Sequence, residues 1–260
     1  MMLLFKLQIG LKKNMKISII TATYNSQNTI SDTLKCIENQ SYQNIEHIIV
    51  DGGSKDNTLS IVKEYAHVFK IISEPDKGIY DAMNKGINLS SGDIVGILNS
   101  DDIYFNNDTI KDVVSHFVNN DIDLTYGNIL ITDKFLKKVK RKWISNSFKK
   151  GSFKGGWHPP HPSLFVKKSI YNEFGLFDLK YEFSADFDLM LRFFEINQCK
   201  AKFINNFITK MRLGGKTTKS LKNIIEGNKE IINVFNQNNL KPVYLYSLKR
   251  IFKKLFQYFK

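Results

Sequence analysis

Four short apolar runs in the first hundred residues each stop at a cluster of small polar residues, and this rhythm constrains the fold more than any other feature. Lys16–Thr23 (KISIITAT) is β-branched and ends at Tyr24-Asn25, while Ile45–Val50 (IEHIIV) stops at Asp51-Gly52-Gly53. Val68–Ile72 is a third run, and Asp93–Leu98 (DIVGIL) leads into Asn99-Ser100-Asp101-Asp102. Between them the period changes to that of a helix. Asn28–Asn39 carries Ile30, Leu34 and Ile37 on one side, and Ile79–Leu89 forms another helical stretch. A third, with Leu59, Ile61, Val62 and Tyr65 on its apolar side, is expected to be capped by Ser54 or Asp56. Strands separated by helices predict an α/β fold with a doubly wound, mostly parallel sheet. Ligands of such sheets bind beyond the carboxyl ends of the strands. Every polar cluster named above falls at such an end.

Charge sharpens this reading. The chain has 260 residues and a net charge of +13, but residues 1–133 carry 11 Lys/Arg against 17 Asp/Glu, whereas residues 134–260 carry 27 against 8. The half that holds the polar clusters is acidic, which suits metal and polar ligands. The basic half suits an anionic partner such as a membrane surface, a phosphate or nucleic acid. A composition of 42% hydrophobic and 24% charged residues excludes a disordered or fibrous chain. Cys36 and Cys199 are the only cysteines and have no metal-ligand spacing, so a reduced, cytoplasmic setting is expected. Residues 1–14 are interrupted by Lys6 and too short for a signal peptide, and read as an extension ahead of Met15. Residues 15–130 then form a ligand-binding half, 131–218 a second half of the same domain, and 219–260 C-terminal helices.

Beyond Asn128 the pattern loosens. Lys134–Lys154 holds nine basic residues and no acid, and a Pro-His segment (Trp157 to Pro162) follows. Ser184–Phe194 (SADFDLMLRFF) predicts a helix whose acidic first turn suits the helix dipole, and Lys219–Gln237 predicts another.

Five segments, ITATYN (20–25 for its core), VDGGSKDNT (50–58), EPDKGIYDAMNKG (74–86), LNSDD (98–102) and SADFDLMLRF (184–193), resemble those of a family 2 glycosyltransferase with the GT-A fold. They occur in the family's order. The resemblance implies transfer of a sugar from a nucleotide-diphospho-sugar, with uridine the expected base, in bacterial surface-polysaccharide synthesis. It places Thr21, Ala22, Tyr24, Asp51, Lys77, Gly78, Asn84 and Asp101 around the donor. Tyr24 could give the base an aromatic face and Asp51 a carboxylate for a base N–H; equally, Tyr24 could pack in its loop and Asp51 cap the turn before Gly52. Lys77, Asp81 and Asn84 offer polar groups to a ribose or sugar, or serve as helix caps.

Asp101 and Asp102 end a strand side by side, and such carboxylates repel unless something compensates them. Mg²⁺ or Mn²⁺, bound through few carboxylates plus substrate phosphates, is the expected cofactor; capping of the next turn is the bland alternative. Asn99 stands where many relatives have aspartate. The resemblance makes Asp186 the base that deprotonates the acceptor hydroxyl in an inverting transfer, although the pair reads Ala185-Asp186 rather than Glu-Asp. Asp188 would face elsewhere on the helix. His158 and His161 resemble an acceptor-side segment, although lone histidines are more often structural. Gly214 to Thr217, with Lys216, could close over the diphosphate or form a plain turn.

A nucleotidyltransferase shares this architecture, but would show a Gly-rich basic loop after the first strand, and residues 21–30 contain neither Gly nor Lys. A nucleic-acid-binding module would use the basic half, which carries no recognised binding motif. From Leu245 the residues Leu248, Ile251, Phe252, Leu255, Phe256 and Phe259 recur at helical spacing between lysines and arginine. That pattern predicts a helix lying on an anionic membrane, where a glycan or lipid-linked acceptor would be presented. No nucleic-acid partner is expected.

Overall fold

The computed structural model describes residues 14–214, 220–244 and 246. The expected N-terminal extension up to residue 13, Lys216 and nearly all of the C-terminal amphipathic helix lie outside them. Among the described residues, no helix is long and apolar enough to cross a membrane.

The first half folds as its periodicity predicts. Strands β1 (Ile17–Thr23), β2 (Ile45–Asp51), β3 (Val68–Ser73) and β4 (Ile94–Ile97) alternate with helices α1 (Ile30–Glu38), α2 (Thr58–Lys63) and α3 (Ile79–Leu89). β1 lies between β2 and β4 and runs parallel to both, and β2 pairs in parallel with β3. Every residue of β1 is buried, so its two faces need separate covers. Ile20 and Ala22 point into one core with Ala82 and Met83 of α3. Ile17 and Ile19 point into the other with Ile37 of α1. Helices on both faces make the sheet doubly wound. The start of α2 departs from expectation: its N-cap residue is Asn57, and Asp56 accepts from the Thr58 amide at 3.0 Å and hydroxyl at 2.5 Å and from the Gln27 amide at 3.1 Å. Ser54 is used elsewhere.

The second half extends the same sheet with mixed strand directions. After β5 (Ile103–Tyr104) and α4 (Thr109–Asn119) come β6 (Leu124–Thr132), β7 (Val139–Trp143) and β8 (Phe165–Lys167), then α5 (Lys168–Phe174), α6 (Ala185–Leu191), β9 (Ala201–Arg212) and α7 (Leu221–Gln237). β8 enters antiparallel between β4 and β6. β6 pairs in parallel with β9 on its other edge, and β9 carries β5 antiparallel. The strand order is β3-β2-β1-β4-β8-β6-β9-β5, with β7 added to β6. α4 packs on one face through Val113 and Phe117. α6 and α7 pack on the other through Phe187 and Phe235, whose rings meet edge-on at 5.5 Å.

Candidate active site

The carboxyl ends of β1 and β4, the start of α3 and the end of β9 enclose a cleft of about 640 Å³, within the usual range for a small-molecule site. Tyr24 is 60% exposed and forms one wall. Ala22, Gly78, Asp101 and Gly214 also line the cleft.

Two neighbouring turns set its shape. Gly78 has φ +116°, a conformation that a side chain would strain, and its amide donates to Asp76 Oδ1 at 2.8 Å. A Cβ on Gly52 would meet Asp76 Oδ2 at 2.4 Å and Tyr24 Cδ2 at 3.5 Å. Only glycine therefore lets the Asp76 carboxylate sit against the strand end beside the tyrosine ring. Asp76 lies in the quoted EPDKG segment, but nothing in that segment distinguishes it from Asp81 or Lys77.

Several residues expected at the donor do not line the cleft and hydrogen-bond within the fold. Asp51 is fully buried, and Oδ2 accepts from Gly53 N at 3.1 Å, Ser54 N at 2.9 Å and Ser73 Oγ at 2.7 Å. Oδ1 accepts from Ser54 Oγ. Asp51 thus caps the turn that follows β2. Thr21 is buried against His47 Nε2 at 3.0 Å. Asn84 exchanges hydrogen bonds with the Phe177 backbone at 2.9 and 3.0 Å, which ties α3 to a distant loop. Lys77 is exposed, and its amide donates to Asp81 Oδ2 at 3.0 Å, an ordinary helix-start cap.

The two strand-end aspartates divide. Asp102 is 1% exposed; Oδ2 accepts from Asn99 Nδ2 at 3.1 Å and Oδ1 from Arg212 N at 3.1 Å. Burial and the Asp101 charge raise its pKa well above the carboxylate range, against the opposing pull of Asn99 and Arg212. Asp101 borders the cleft and is raised by burial, which its own backbone and Arg212 only partly offset. Arg212 organises this turn. Its side chain donates to the Asp101 carbonyl, to Asp32 of α1, and to Lys134 O at 2.9 Å. It was hidden in sequence because nothing local links residue 212 to residue 101.

A divalent cation fits this corner. The donors are hard oxygens: the Asp101 carboxylate, destabilised as an anion by burial, and Asn99 Oδ1, buried with no hydrogen-bond partner among the described residues. Among the described residues no cluster of three His, Cys, Asp or Glu is arranged to hold a metal. The cation would therefore depend on substrate oxygens to complete its shell, as Mg²⁺ and Mn²⁺ commonly do.

Beside the cleft, Asp186 opens α6 at the wall of a smaller cavity shared with Tyr80 and His161. Its Oδ1 accepts from the Phe187 amide at 2.8 Å and from the Tyr80 hydroxyl at 3.2 Å, and Oδ2 lies 3.0 Å from His161 Nδ1. Burial pushes its pKa up, but the charge and hydrogen bond of His161, with His158 and the Phe187 amide, hold it at about 2. His158 packs edge-on to Trp143 at 5.1 Å and Phe187 at 5.6 Å. Asp188 turns away to Arg192 Nε at 2.8 Å, as expected. Ala185, where an acid was missing, is fully buried. Glu230 of α7 holds this loop by accepting from the Glu182 and Phe183 amides at 2.9 Å.

A sheet of this order, helix-covered on both faces and open at the carboxyl ends of β1 and β4, has the mixed α/β architecture of the GT-A fold. Residues 18–173 match Glycosyl transferase family 2, and the chain belongs to that family. It is 29% identical over 182 residues to a PGL/p-HBAD biosynthesis glycosyltransferase of Mycobacterium bovis, covering 68% of this chain and 69% of the relative. It is 31% identical over 179 residues to an uncharacterized glycosyltransferase of Mycobacterium tuberculosis, covering 68% of each. The fold is similar to S. aureus TarS residues 1–349 in complex with UDP, at TM-score 0.65 and 17% identity over 90% of this chain and 68% of that one. It is also similar to the mannosyltransferase PcManGT of Pyrobaculum calidifontis in complex with GDP-Man and Mn²⁺, at TM-score 0.66 and 15% identity over 91% and 71%.

Proposed function

We propose that this glycosyltransferase moves a sugar, with inversion, from a nucleotide-diphospho-sugar to a hydroxyl of a glycan or lipid-linked glycan during surface-polysaccharide synthesis. The observation that carries this reading is the single cleft that joins Tyr24, Asp76 and Asp101, with the Asp186–His161 pair beside it. Tyr24 stacks on the base, and Asp76 takes the base-side role first expected of Asp51. Asp101 and Asn99 would hold Mg²⁺ or Mn²⁺, and the cation would supply charge to offset that of the departing nucleotide. Asp186 serves the acceptor end, where deprotonation must accompany bond formation. A uridine donor is favoured, supported by the UDP bound in the TarS structure; the GDP-Man of the archaeal enzyme makes guanosine the competitor to test.

The exposed surface near the cleft supports docking on an anionic membrane from the cytoplasmic side. Phe135 is 64% exposed beneath the Lys134 ammonium, and Lys134 O bonds to the same Arg212 that braces the Asp101 turn. Thermal shift with UDP, GDP, UDP-GlcNAc and GDP-Man, each with and without Mn²⁺, tests the donor reading. The expected result is a melting-point rise with one nucleotide that grows with Mn²⁺; no rise with any of them overturns it.

A further inference from the structure

A second large cavity, of about 590 Å³, lies between α4, β5 and the middle of β9 and shares no lining residue with the cleft at Asp101. An irregularity in the sheet builds it. Between paired positions β6 advances two residues, from Tyr126 to Asn128, while β9 advances four, from Phe203 to Phe207. The surplus forms a bulge, which breaks the alternation of β9 and brings two consecutive side chains, Asn205 and Asn206, to the surface. Gly127 makes room for it, since a Cβ there would meet Asn206 O at 2.9 Å and Ile204 O at 3.0 Å. Asparagine is a poor strand former, so two in succession here are a cost that the sheet itself does not require.

The polar groups of the cavity are held in place. Asn128 is 4% exposed; its Oδ1 accepts from Ser145 N at 2.8 Å, and its Nδ2 donates to Asn205 Oδ1 at 3.3 Å. Asn206 Nδ2 donates to Asp112 Oδ2 at 3.0 Å. These contacts orient the two outer amides and leave Asn205 Nδ2 as a donor and Asn206 Oδ1 as an acceptor for a ligand. Beside them the rings of Phe105 and Phe207 meet at 5.6 Å, and Ile144, 45% exposed, adds an apolar wall. A pyranose matches this mixture, because its C–H face is apolar while its rim of hydroxyls both donates and accepts. Charge narrows the class. Asp108 and Asp112 line the cavity with no Lys, Arg or His among the described lining residues, and Lys210 stands over the Phe105 ring at 5.1 Å without joining the lining. A phosphate or an acidic sugar is repelled there, and a neutral sugar is not.

We propose that this cavity is a second binding site, for a neutral oligosaccharide, separate from the donor cleft. β9 links the two places. Six residues separate Asn206 from Arg212, about 20 Å of strand at about 3.3 Å each. A sugar in the cavity is therefore not the one that reacts at Asp101. The site retains glycan away from the reacting end, which keeps an acceptor near the cleft between turnovers. That use rests on the transfer reading above, whereas the binding itself needs no nucleotide.

The test uses the full chain and saturation-transfer NMR, with cellotetraose, chitotetraose, maltotetraose and mannotetraose as probes and no nucleotide. At least one probe should receive transfer at its ring C–H protons, and excess UDP or GDP with Mn²⁺ should not displace it. The double variant Asn205→Ala/Asn206→Ala changes two exposed positions. It should keep the wild-type melting point, weaken that probe about 10–100-fold and leave the nucleotide-induced thermal shift unchanged. If the double variant melts early, Ile144→Arg blocks the cavity from an exposed position and should weaken the probe to the same degree. No transfer to any of the four probes overturns the proposal. Undiminished transfer in a folded variant, or displacement of the probe by nucleotide, overturns it as well. The two readings fail separately. Nucleotide binding without glycan binding removes only this site, and glycan binding without nucleotide binding removes only the donor reading.

Discussion

Asp101 and Asp102 are adjacent in sequence, yet their surroundings assign them different work. Both line the cleft, but the Asp102 carboxylate is engaged by Asn99 and the Arg212 amide. Asp101→Ala should leave stability nearly unchanged and abolish the Mn²⁺ dependence of UDP binding, read by calorimetry. Full Mn²⁺ enhancement in that variant would place the cation elsewhere. Asp102→Ala should instead lower stability to urea by about 1–3 kcal/mol, because it leaves buried donors unpaired. Residue type was legible at these positions; direction was not. A polar side chain at a strand end can line the cleft, as Tyr24 does, or close its own loop, as Asp51 does. The choice depends on whether nearby amides and hydroxyls reach it first, which in Asp51 involves Ser73 from the next strand.

Elements were legible where their contacts are local. The parallel half was readable because each helix covers the strands flanking it in sequence. β9 was not, because Asn205 and Asn206 interrupt its alternation and its partners β5 and β6 lie far upstream. At the amino ends of the strands, away from the cleft, Glu46 of β2 performs the joining. It accepts from Lys16 Nζ at 2.8 Å, Ser18 Oγ at 2.5 Å, and Ser91 N and Oγ at 2.8 and 2.6 Å. Burial pushes its pKa up, but these bonds outweigh burial and hold it at about 2 against an ordinary 4.5. A depressed folded-state pKa means stability that is present above pH 4.5 and lost as pH falls toward 2. Glu46→Gln should therefore cost about 1–3 kcal/mol at pH 7 and progressively less below pH 4. Equal costs in urea melts at pH 7 and pH 2.5 would show that the charge is not what joins these strands.

At the scale of the whole molecule, the basic second half presents part of its charge at one exposed turn. Lys134, Lys137 and Lys138 cluster around exposed Phe135 at the turn after β6, on the side of the Arg212 brace. Each lysine near an anionic bilayer contributes about 1 kcal/mol at low salt. Replacing all three with glutamate should strongly reduce flotation with phosphatidylglycerol vesicles at low salt, as should ending the chain at Lys241. Equal flotation with neutral vesicles would make the surface an ordinary solvated one. The Arg212 brace also bears on how the enzyme is made. It reaches Asp32 across 180 residues and the Asp101 carbonyl across 111. Contacts of such span close late, because the loop they close must first be ordered. A nascent chain emerging from the ribosome holds Tyr24, Asp76 and Asp101 long before Arg212 is synthesised. Such a fragment lacks the guanidinium that holds the Asp101 carbonyl, so the Asp101 turn takes its final form only once β9 has been made.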